Sequence, residues 1–222
     1  VTFGQITYDL AHLLGGAVLL LSFVLLYQRR IGAVINAFAM QGTLLALAAA
    51  WAAHAQGAPG LYVTALLALA VKGVLIPLAL HRLVRELRLH RTVETALGIG
   101  PSMIAGVALA GLSILVVLPA TEGVRALARE NLALALSVVL LGMLMMITRR
   151  NAISQVIGLL SLENGLILAA IGVTGMPLVV ELSTAALVLM LAMVAGVFAF
   201  QIRERFDTLD TGSLEEHRGE HP

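Results

Sequence analysis

The sequence predicts an all-α protein, a polytopic transmembrane helical bundle of about seven spans. Three observations carry that prediction. Of 222 residues, 59% are hydrophobic and 12% charged, with a mean hydropathy of +0.97, whereas a soluble domain is roughly a quarter charged. The apolar runs are about as long as a helix needs to cross a bilayer, roughly 20 residues. They are also continuous rather than alternating, so the backbone is satisfied inside each helix and not in a closed barrel.

The first run covers residues 5–27, bounded by Tyr8 and Tyr27 as interfacial aromatics, and is expected to stay in the membrane rather than be cleaved as a signal. Arg29-Arg30 separates it from a second run at 31–51, and Gln56-Gly57-Ala58-Pro59-Gly60 has the turn residues of a short hairpin before a third at 61–80. Pro77 removes a backbone donor inside that third run, either kinking the helix just after Lys72 or sitting harmlessly near its end. The stretch 80–98, rich in Arg, Glu and His, reads as a solvated loop, with a helix lying on the lipid surface as the alternative. A fourth run at 100–118 and a fifth at 132–147 follow, the latter carrying Met143, Met145 and Met146 as a soft packing cluster. The sixth, 148–170, opens with Arg149-Arg150-Asn151 and holds Glu163 in its interior. The seventh is 178–202, and the chain then turns polar and acidic, a tail with no apolar face to bury. Three segments result: 1–98 and 99–206 as membrane helices, and 207–222 as tail.

If seven helices alternate, Arg29, Arg30, Arg82, Arg85, Arg88, Arg91, Arg149, Arg150, Arg203, Arg205 and Arg218 fall on one side. Only Arg125 and Arg129 fall on the other, accompanied by Glu122 and Glu130. By the positive-inside rule the amino terminus faces out and the carboxyl tail in. The net charge of +1 argues against a nucleic-acid partner, and a chain without cysteine supplies no thiolate for a cluster or structural zinc. No nucleotide loop, catalytic triad or zinc signature is present, so no catalytic residue, metal ligand or cofactor is assigned to this chain.

Lys72 is the only lysine and lies near the centre of the third run. A central charge costs about 2.5–3.5 kcal/mol on insertion scales, so it should face protein or water and be paired. Desolvation penalises the charged forms of both Lys72 and Glu163, which suits them to exchanging protons. They form the leading proton pathway, against the plainer alternative that each packs on a polar group of a neighbouring subunit and fixes helix register. Glu181, near the outer end of the seventh run beside Ser183 and Thr184, is a third candidate for that pathway, although a group at that depth can also reach headgroup water. Asp9 and His12, three apart, share a face at the outer end of the first run and are read as an interfacial hydrogen-bonding pair. Arg29-Arg30 with Gln41, then Leu44 to Ala48, echoes Arg149-Arg150 with Glu163, then Leu166 to Ala170. Taken as a parallel repeat, this relates spans one to three with five to seven; chance likeness between leucine-rich helices is the simpler account.

Arg149-Arg150-Asn151, Ile157-Gly158-Leu159 and Asn164, a further span ending Gln201-Ile202-Arg203, and the Ser/Glu-rich ending up to Arg218-Gly219 resemble the small K subunit of respiratory complex I and the related C subunit of Mrp-type antiporters. That similarity runs from about residue 142, and with the preceding spans the whole chain most resembles the membrane-bound E subunit of hydrogenase-4 and formate hydrogenlyase complexes. The resemblance implies a non-catalytic subunit of a group 4 nickel-iron hydrogenase-type assembly. Such a subunit would be multi-pass in a bacterial or archaeal cytoplasmic membrane, between antiporter-like subunits and the one that docks the redox arm. In the K subunit the first membrane glutamate directly follows Ile-Gly-Leu; here that place is Leu160 and the acid stands one turn along, at Glu163. The family's second glutamate falls near Leu191, which is no acid, and Glu181 is ten residues earlier; Lys72 is expected to supply the central ionisable group instead. A purely structural adaptor and a free-standing secondary transporter are the rival readings.

Overall fold

The structure is a computed structural model that describes residues 3–86, 96–123 and 126–172. The chain divides into two units, Val1–Thr184 and Ala185–Pro222, and the second lies wholly outside the described residues. So do the whole predicted seventh span at 178–202, Glu181, and the acidic tail.

The described residues form an all-α polytopic bundle with six helices long and apolar enough to cross a membrane. Helix α1 (Phe3–Tyr27) and α2 (Ile31–Gln56) form a hairpin. The third span comprises α3 (Gly60–Leu67), a π-helical segment (Ala68–Leu75) and α4 (Ile76–Glu86). Then come α5 (Ile99–Ala120), α6 (Ala126–Thr148) and α7 (Ala152–Gly172), the last two packed as a second hairpin.

Local chemistry sets the ends. Gly57 at φ 62° takes the left-handed conformation and donates to the Ala53 carbonyl, closing α2 at the predicted turn. Asn151 caps α7, its Oδ1 accepting from the amides of Ile153 at 2.9 Å and Ser154 at 3.4 Å. The third span does not stop near residue 80 as expected: helix continues through the start of the basic segment to Glu86, because Leu80 and Leu83 still have a core to bury against.

The two hairpins pack side by side, α1 on α6 and α2 on α7, so the segments on either side of residue 98 share one core. On α2 the buried face runs through Ile31, Val34, Ile35, Phe38, Gln41, Gly42, Leu45 and Ala49, the spacing of a single helical stripe. The third span packs on α2, and α5 lies on α6 and α1 through small residues, with Ser113 donating to the Ala133 carbonyl at 2.7 Å. Its other face, with Ile104 and Leu115, is exposed.

Side-chain bonds show that α1 and α6 run parallel. At one end Tyr8 donates to Glu130; at the other, Arg149 donates to the carbonyls of Leu25 at 3.2 Å and Leu26 at 2.5 Å. Helices α2 and α7 are parallel too, since Gln56 at the end of α2 donates to the Ile171 carbonyl at 2.9 Å. Odd spans lie with odd and even with even, as strict alternation requires. Arg149 is only 2% exposed, so it is more than a surface anchor: it supplies donors to the last turn of α1, where carbonyls lack helical partners.

A candidate buried proton-exchange site

Lys72 is the fifth residue of the π-helical segment. Pro77 explains why the helix widens there: its ring nitrogen cannot donate to the Gly73 carbonyl and would clash with it. Upstream, Ile76 donates to Val71, five residues back. Isolated π turns inside α-helices occur often at functional sites. Pro77 thus lies inside a helical span that runs on to Glu86, with a widened turn before it.

Gly42 of α2 lets this segment come close. A Cβ at Gly42 would stand 2.9 Å from both the carbonyl carbon and the Cβ of Lys72, so any larger residue would push the two helices apart. Helices α6 and α7 meet by the same device at Gly142 and Gly158. Met146, one of the three clustered methionines, lies against Gly158.

The structure brings Lys72 and Glu163 together. Nζ stands 3.1 Å from Glu163 Oε2, with the two side chains 0% and 4% exposed. Neither therefore depends on a polar group of another subunit for its pairing. Both lie midway along their spans, Gly60–Arg85 and Ala152–Gly172. An ion pair so far from water is held in place by whatever else satisfies its donors and acceptors, and here that is a chain of amides. Lys72 Nζ donates to Asn164 Oδ1 at 2.6 Å, and Asn164 Nδ2 donates to Gln41 Oε1 at 3.1 Å. Gln41 Nε2 donates to Ser22 Oγ at 2.8 Å, and Ser22 donates to the Val18 carbonyl at 3.1 Å. Four spans thus contribute to one buried polar network.

Both carboxylate oxygens of Glu163 are buried with no hydrogen-bond partner among the described residues, so Lys72 meets Oε2 as an ion pair rather than through an aligned hydrogen bond. The hydroxyls of Ser161 and Ser154, also buried on α7, are in the same condition. Seven residues apart, these two hydroxyls share one face of α7, and Glu163, two residues past Ser161, points to the other.

Asp9 and His12 are not joined. Asp9 is exposed, whereas His12 Nδ1 stands 3.3 Å from Glu130 Oε2 on α6 and its ring stacks on Tyr8. The three-residue spacing did predict a shared helix, but α6 supplies the nearer acid. Glu181 lies outside the described residues.

The sequence pattern assigned no role to Ser22, and marked Gln41 and Asn164 only within motifs. The signal was present as polar side chains inside apolar runs; what the sequence lacks is the register that lets them meet.

A protein of Mycobacterium tuberculosis described as uncharacterized protein Rv0085 is 27% identical over 205 residues, covering 91% of this chain and 93% of that protein. No family model matches the chain. No solved structure matches it either.

Proposed function

We propose that this chain is a non-catalytic membrane subunit of a complex I-related assembly of the group 4 nickel-iron hydrogenase type, in a bacterial or archaeal cytoplasmic membrane with its amino terminus outside. Its part is to carry protons along a buried path coupled to electron transfer in partner subunits. The partners are antiporter-like membrane subunits and the subunit that docks the redox arm.

The observation that supports this best is the Lys72–Glu163 pair at 3.1 Å in mid-membrane. A lysine and a carboxylate that close, both desolvated, can pass one proton between them and become neutral together, which a surface pair has no reason to do. The two Glu163 oxygens, both without a hydrogen-bond partner among the described residues, give a proton or an ordered water somewhere to bind. The resemblance of Arg149-Arg150-Asn151, Ile157-Gly158-Leu159 and Asn164 to the K-type subunits supports the class of assembly.

The same pair favours a second reading, a structural adaptor whose buried charges merely fix the helices, because Lys72 already has two partners within the chain. The test is Glu163→Gln and Lys72→Met in the assembled complex, with proton translocation and electron transfer measured separately. The proton-path reading expects assembly and electron transfer with lost or reduced translocation. Unchanged translocation in both variants overturns it, and failure of the complex to assemble in both favours the adaptor.

A further inference from the structure

The amide chain has a direction, and chemistry fixes it. An ammonium only donates, so Asn164 must turn its oxygen to Lys72 and its NH2 toward Gln41. Gln41 must then present its oxygen to Asn164 and its NH2 to Ser22, and Ser22 is left to donate to the Val18 carbonyl. Every donor points from Lys72 toward α1, and the chain ends on a helix backbone carbonyl that is no base.

We infer that Asn164 and Gln41 are positioning residues that hold Lys72 as the ammonium beside Glu163 and so set how readily it gives up its proton. This rests on reading Lys72 and Glu163 as a proton-exchanging pair. In the step itself an Nζ–H bond breaks and an Oε2–H bond forms; the electron pair stays on nitrogen, and ammonium plus carboxylate become amine plus carboxylic acid. The amides take no part in the bond changes. They bind the ammonium more strongly than the amine, since a bond to a charged donor is the stronger one. Gln41 adds to this without touching Lys72 by polarising the Asn164 amide through their mutual bond.

Because Lys72 is the only lysine, a full-length chain carrying 15N at lysine Nζ, in lipid nanodiscs, gives one side-chain resonance that separates ammonium from amine. At the pH where the wild-type chain is half ammonium, Asn164→Leu is expected to lower the ammonium-to-amine ratio about tenfold, equivalent to about 1.4 kcal/mol. Gln41→Leu is expected to lower it about two- to threefold, and Asn164→Asp to raise it above wild type. A ratio unchanged in Gln41→Leu overturns the chain as a unit, and one unchanged in Asn164→Leu overturns the inference altogether. Should Asn164→Leu not fold, Gln41→Leu and Asn164→Asp decide. A merely structural role for the amides would alter stability and leave the ratio alone. Failure of the proton-path reading would appear separately, as translocation in the assembled complex that is indifferent to Lys72→Met while these ratios still move.

Discussion

Replacing Glu163 by Gln leaves the Lys72 ammonium facing a neutral amide where a carboxylate oxygen stood 3.1 Å away. At an effective dielectric of about 20 the lost attraction is about 5 kcal/mol. The lysine can escape by shedding its proton, which at pH 7 and from an ordinary lysine costs about 4.6 kcal/mol, so the destabilisation is capped near that figure. Lys72→Met leaves the buried Glu163 without its cation instead, and breaking a buried pair from one side costs about 3–5 kcal/mol. The double variant has neither orphan and is expected within about 1 kcal/mol of wild type, as when a buried pair is replaced whole. The pH slope separates this from simple packing loss. Where Lys72 folds neutral but unfolds charged, the unfolded state binds more protons, so Glu163→Gln gains about 1.4 kcal/mol per unit as pH rises from 7 toward 10. Unfolding in mixed detergent micelles, followed by the fluorescence of Trp51, the only tryptophan, measures all four proteins. Single variants as stable as wild type, or a Glu163→Gln stability that does not rise with pH, would refute the reasoning.

Two further predictions concern the helices that hold the pair. Gly142→Ala puts a Cβ 2.6 Å from the Leu162 amide nitrogen and 2.8 Å from the Gly158 carbonyl oxygen, both backbone atoms that cannot swing aside. It is expected to cost about 1–3 kcal/mol in the same assay, while Gly111→Ala, with nothing within 4 Å, is a control that should cost nothing. Arg149→Met removes the donors to the Leu25 and Leu26 carbonyls and is expected to cost about 1.5–3 kcal/mol. Arg149→Lys should recover part of this, and hydrogen exchange should quicken selectively in the last turn of α1 in the Met variant.

Much of the fold was legible because lipid leaves a chain few choices. Run length and charge placement located every described span, and the glycine and proline of 56–60 marked a real turn. The extent of the third span was missed because hydropathy falls at His81 and Arg82 although backbone hydrogen bonding does not. At the site, the insertion cost of Lys72 and Glu163 said that each must be paired, and they are paired with each other. Nothing in the residue order chooses that over a partner in another subunit. The choice depends on two close approaches: Gly42 against the Lys72 backbone, and the widened turn ahead of Pro77. His12 went to Glu130 rather than Asp9 for a similar reason, since a neighbouring helix can bring an acid closer than a residue three positions along the same helix.

Arg29-Arg30 with Gln41 and Arg149-Arg150 with Glu163 stand in two hairpins that pack side by side. Each hairpin turns at its arginine pair, α1 lies along α6 and α2 along α7, and the two mid-membrane amides, Gln41 and Asn164, bond directly to each other. Yet the halves cannot be chemically identical at this level. One buried cation, Lys72, enters from the span that follows the first hairpin, and a low-dielectric interior tolerates one carboxylate to match it. A second acid in place of Gln41 would stand beside an amide that already donates to it, while the single ammonium stayed with Glu163, leaving one uncompensated charge in the core. A neutral glutamine at 41 and an acid at 163 is therefore the arrangement that matches the one lysine buried between them.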